Sequence, residues 1–175
     1  MIIVSAAIAV PAFAATTDAK KPKGPKVVID DACSMIWPKR VEKALGGPVA
    51  ILPESPVAGP AACIATIGAD PTVAPGGTLH AFTEFPTIFN SLPTARAVVE
   101  DRRAGDALSD DGLTDVDDVG LTGYFNRTKG TITVVVTKRF AFTLQWQRAN
   151  AVVISDADRK QLTSLAKDVV ARFTR

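Results

Sequence analysis

The sequence predicts an α+β domain: an antiparallel sheet of about six strands in two three-stranded meanders, with helices packed on one face of it, in the order α-βββ-α-βββ-α. Three features carry this prediction. The stretch from Thr122 to Gln147 has strand periodicity around a tight Lys129-Gly130 turn, with Thr131, Thr133 and Val135 alternating with Ile132, Val134 and Val136. Leu162, Leu165, Ala166, Val169, Val170 and Phe173 recur at helical spacing and form one apolar stripe. Runs of neighbouring strands separated by single helices favour antiparallel pairing over parallel βαβ units.

Taken in chain order, the first helix is short. Pro38 suits a first helical position, where its missing N–H needs no partner, and Val41, Ala44 and Leu45 share a face until Gly46-Gly47 end the turn. Residues 49 to 52, Ala62 to Ile67 and Thr78 to Phe85 read as the first three strands. A second helix is expected over Leu92 to Ala104, capped by Ser91, facing inward through Ala95, Val98 and Val99, and released at Gly105. Strands are then expected over Thr122 to Arg127, Thr131 to Lys138 and Phe140 to Gln147. The last helix begins at a Ser155 cap with Asp158 three residues on, and Asp156 and Arg172 complement its dipole.

The 175 residues are 47% hydrophobic and 22% charged, which places the chain among globular single domains and excludes the disordered and fibrous classes. Residues 1–14 combine an apolar run, MIIVSAAIAV, with Ala12 and Ala14 at signal-peptidase spacing, so an exported chain cleaved after Ala14 is expected. The run lacks a basic leader, which a start upstream of Met1 would supply. It is also too short to span a bilayer, which takes about 20 apolar residues. Residues 15–26 hold Lys20, Lys21, Lys23 and Lys26 without apolar periodicity and read as a flexible tether, leaving residues 27–175 as the domain. Beyond the tether the chain has 16 basic and 17 acidic residues, too even a balance for the basic face that nucleic acid demands.

Export also makes a pair of Cys33 and Cys63 the expected state of the only two cysteines. Closing a loop of about 30 residues contributes roughly 3.5 kcal/mol on the chain-entropy model. Neither a metal nor a cofactor is expected. Two cysteines and one histidine do not make a tetrahedral site, SDDGLTDVDDVG in the acidic loop 106–118 lacks the calcium-loop register, and no glycine-rich phosphate cradle is present. A hydrolase would have to use His80, which sits inside a strand with no nucleophile elbow around any serine, or two converging carboxylates. Phe140, Phe142, Leu144 and Trp146 share parity and read as filling one sheet face. Should a ligand cleft exist, Tyr124, Trp146 and Arg148 are the candidates to line it.

The segments Asp31-Ala32-Cys33, VEKALGGPV, the second cysteine Cys63, DVDDVGLTGYFNRTKGTITVVV and LTSLAKDVVARF together resemble a family of small exported bacterial domains of unknown function, many of them actinobacterial envelope lipoproteins. The resemblance spans most of the chain after residue 26 and implies the same fold, disulfide and export. There is no lipobox cysteine at the cleavage site, so the lipid anchor is not carried over. The expectation is therefore a non-enzymatic periplasmic or secreted domain that binds an envelope protein or a small ligand, with an extracytoplasmic hydrolase as the alternative.

Overall fold

The computed structural model describes residues 24–29, 31–53, 62–68, 76–84, 94–108, 112–148 and 153–173. The expected signal segment, most of the tether, Phe85, Ser91, Leu92, Asp110 and Asp111 lie outside them. A 3-10 turn at Ala32–Met35 leads into α1 (Pro38–Leu45), then β1 (Val49–Pro53), β2 (Ala62–Ile67) and β3 (Gly77–Glu84). After α2 (Ala95–Ala107) come β4 (Leu113–Asp115), β5 (Thr122–Asn126), β6 (Thr131–Thr137), β7 (Phe140–Gln147) and α3 (Asp156–Phe173). All pairings are antiparallel, and the sheet runs β1-β2-β3-β7-β6-β5-β4.

Two differences from expectation stand out. The second meander has four strands, because three residues of the acidic loop, Leu113 to Asp115, pair with Asn126 to Tyr124 as an edge strand. The helices also divide between the two faces instead of sharing one. α1, α3 and the 3-10 turn cover the face that carries Cys63, Leu79, Phe142, Leu144 and Trp146. α2 lies on the opposite face against β5, β6 and β7. Strand order requires a crossing, since β3 sits beside β7 while β4 is at the far edge, and with the first face covered by α1 and α3 the α2 segment spans the three strands between them on the other. As a result Thr131 to Val136 are all buried, polar alternates included. α2 begins three residues later than predicted, capped by Thr94, whose hydroxyl accepts from Ala97 N at 3.2 Å, and it continues through Gly105.

The rest follows the sequence closely. Ser155 and Asp158 form a reciprocal cap: Asp158 N donates to Ser155 Oγ at 3.2 Å and Ser155 N to Asp158 Oδ2 at 3.1 Å. The α3 stripe is inside, with Leu162, Leu165, Ala166 and Val169 buried. Gly130, at φ 64°, closes the β5–β6 turn where a Cβ would come 2.5 Å from Trp146 O. Cys33 and Cys63 are disulfide-bonded, fastening the 3-10 turn to β2 across 30 residues.

One buried charge organises the N-terminal part of the fold. Arg172 of α3, 1% exposed, donates from Nη1 to Ser34 O at 3.0 Å and to Pro25 O at 3.4 Å, and from Nη2 to Met35 O at 2.6 Å. Its Nε lies 3.2 Å from Asp168 Oδ2, and its guanidinium is 5.8 Å from the centre of the Trp37 ring. Gly24 packs against that same ring, and Val27 is buried. Of the expected tether, therefore, the described stretch from Gly24 to Lys26 runs along the folded body.

Candidate functional site

An open cleft of about 710 Å³ lies between α3 and the segment that follows β4. Each wall follows from local sequence. On α3, Asp156, Arg159, Lys160, Thr163, Ser164 and Lys167 recur at three- and four-residue spacing, so they form a polar stripe flanking the apolar one. On the other side, Val116 and Val119 are buried in the main core, and Asp117 and Asp118 between them are turned outward into the cleft beside Asp115. Main-chain bonds fix this wall. Val116 N donates to Gly123 O at 3.1 Å and Leu121 N to Val135 O at 2.8 Å. Between them Gly120 adopts φ 68° where a Cβ would fall 2.5 Å from Val135 O.

The cleft is charged on both sides, and much of that charge is already paired. Lys167 donates to Asp118 across the opening and holds the Asp118 carboxyl below its usual range. Arg103 of α2 lies 2.7 Å from Asp115, and Arg127 lies 3.6 Å from Asp156. Arg159 rests its guanidinium 5.1 Å from the centre of the Phe125 ring. Asp117 and Lys160 have no ion-pair partner among the described residues. A smaller hollow of about 210 Å³ beside the cleft shares Asp156 and Arg159 and extends toward Leu113 and Ile154.

The three sequence candidates do not converge. Tyr124 and Trp146 are both 1% exposed but lie on opposite faces of the sheet. Trp146 fills the main core, and its Nε1 has no hydrogen-bond partner among the described residues. Tyr124 lies under α2 and donates to Asp106 Oδ2 at 3.0 Å, while Lys129 Nζ donates to Asp106 Oδ1 at 2.5 Å. Burial first, and then the Asp106 charge, push the Tyr124 hydroxyl well above its ordinary range, so it stays protonated as a fixed donor. Beside it Thr133 and Thr143 share a hydrogen bond at 2.9 Å, and Arg102 Nη1 donates to Thr143 Oγ1 at 3.0 Å. This network fastens α2 to a threonine-rich sheet face.

Arg148 is the only candidate near Trp146, with its guanidinium 6.0 Å from the ring centre, but it is committed to Asp158 by bonds of 2.6, 3.1 and 3.1 Å. Hydrogen bonds from Arg148, then from Ser155, hold the Asp158 carboxyl down to about 2, against the opposing effect of burial. His80 is half-buried on β3 with its ring stacked on Phe82 at 5.9 Å, and β7, β6 and β5 separate it from β4 and the cleft.

The acidic loop is dispersed as well. Asp106 belongs to α2, Asp115 to β4, and Asp117 and Asp118 to the cleft wall. No group of three or more metal-ligating side chains converges among the described residues. Sequence reasoning missed the cleft because both walls look like ordinary solvated surface. The available signal was the Val116–Val119 spacing, which fixes the direction of the acids between them. No protein family, no curated protein and no solved structure matches this chain.

Proposed function

We propose that this chain is a non-enzymatic, exported binding domain that takes a polar envelope ligand or partner into the cleft between α3 and the β4–β5 segment. The observation that carries the reading is the cleft itself: about 710 Å³, within the roughly 300–1,000 Å³ of small-ligand sites, but walled by charge instead of apolar side chains. That lining disfavours an apolar ligand. A flat apolar docking surface has little support either, since the large hydrophobic residues exposed among the described ones, such as Val28, Leu108 and Leu121, come from separate segments.

Export is supported by the MIIVSAAIAV leader with its Ala12–Ala14 spacing and by the Cys33–Cys63 bond, which persists in oxidising compartments. No helix among the described residues is long and apolar enough to cross a membrane. The hydrolase alternative draws less support. The carboxyls with a clear shift, Asp118 and Asp158, are pulled down by cations and remain ionised, whereas a general acid near neutral pH needs a raised value.

The test is a titration of the ¹⁵N-labelled chain with a muramidase digest of peptidoglycan and, separately, with a soluble envelope protein fraction. Amide shifts confined to residues 115–121 and 156–167, and lost in Asp117→Lys/Lys160→Glu, are expected. Shifts centred elsewhere, or none with either probe, refute the cleft as the site. New fragment masses appearing in the digest would favour the hydrolase.

A further inference from the structure

Resting on the cleft reading, we infer that the ligand is a zwitterion of the short-peptide class, with its carboxylate held on the α3 wall by Lys160 and Arg159 and its ammonium held on the opposite wall by Asp117. The internal pairing of the cleft decides this. Asp115, Asp118 and Asp156 each have a cation already, and Lys167 is spent on Asp118. What remains is unequal and spatially divided: two cations on successive residues of α3, and one carboxylate on the strand side. Arg159 and Lys160 are followed one helical turn later by Thr163 and Ser164. The Thr163 hydroxyl donates to Arg159 O at 2.8 Å, and Ser164 stands beside it on the same wall as a candidate donor to a carboxylate.

A purely anionic ligand would leave Asp117 repelling it from across the cleft, and a purely cationic one would meet two like charges on α3. Only a molecule carrying both signs is attracted by both walls. Of the two orientations, the one with its anion toward α3 is fixed by which wall carries which unpaired charge. Because the cleft is open, each contact is screened by water and salt, so binding is weak and falls as ionic strength rises.

The test is calorimetric titration of the full chain at low salt with the dipeptide Ala-Ala, with N-acetyl-Ala-Ala, which lacks the ammonium, and with Ala-Ala amide, which lacks the carboxylate. Ala-Ala should bind about threefold more tightly than either blocked form, the order of the factor that one exposed pair contributes. Lys160→Gln should abolish the advantage over the amide, and Asp117→Asn the advantage over the acetylated form. Equal affinity for Ala-Ala and N-acetyl-Ala-Ala would overturn the zwitterion assignment, as would equal affinity for Ala-Ala and its amide. If the peptidoglycan digest or envelope fraction shifts cleft amides while Ala-Ala does not bind, the ligand class is wrong and the cleft stands. If none of the probes reaches the cleft, both fall.

Discussion

Replacing Arg172 with leucine tests how the N-terminal part of the fold is held. The native guanidinium is 1% exposed and serves three main-chain carbonyls, of Pro25, Ser34 and Met35, besides Asp168. Leucine matches much of the stem but leaves the Asp168 side chain, 3% exposed, with only Arg40 at 3.5 Å, itself 41% exposed. Breaking a buried pair from one side costs about 3–5 kcal/mol, and the surviving Arg40 contact argues for the lower end, about 3 kcal/mol. For a domain of this size that lowers Tm by about 6–12 °C. Thermal unfolding followed by circular dichroism at neutral pH reads the change directly. The double variant Arg172→Leu/Asp168→Leu should recover part of the loss, because it removes the stranded carboxylate. A single variant melting within about 2 °C of the parent would refute the reasoning, and so would a double variant melting below the single one.

Further outcomes follow from the other fastenings. Stability should fall as pH drops from about 4 to about 2: the Asp158 carboxyl is held below its unfolded value of 3.8, so its contribution is full above that value and lost as pH falls through the folded one. Because Arg148 is half-exposed and screened by solvent, the expected loss is about 1–2 kcal/mol, and Asp158→Asn should flatten that part of the pH profile measured by urea unfolding. Cys33→Ala/Cys63→Ala should destabilise by about 3 kcal/mol under oxidising conditions, and adding reductant to the parent should bring the two urea midpoints together. Tyr124→Phe should cost about 1–2 kcal/mol, since the Asp106 carboxylate loses the phenol hydroxyl as a donor while Lys129 stays bonded to it, and amide exchange should quicken first in α2.

Much of this architecture was legible because it is encoded by local periodicity. The α3 stripe, the Ser155–Asp158 cap and the alternation of β6 and β7 are each set within a few residues. What escaped depends on relations between segments. Strand parity gives a side chain's face relative to its own strand alone, so nothing in the sequence placed Tyr124 and Trp146 on opposite faces. β4 has one apolar residue in three and exists because β5 offers it an edge. Arg172 reads as a dipole complement at a helix end, yet it follows Val169 by three and Leu165 by seven, which places it on the buried face. For the cleft, each wall was visible separately, and only the return of α3 beside the β4–β5 segment made them one site.

The Arg172 clamp also bears on the order of assembly. Its carbonyl partners Ser34 and Met35 lie 138 and 137 residues upstream, and contacts this remote close late, after the intervening chain has collapsed. A polypeptide emerging from a translocation pore N-terminus first would display every strand before the guanidinium arrived to grip the opening segment. Until then that segment would keep the pliancy of an unfinished chain, which would suit a molecule threaded before it sets, as the proposed export would require.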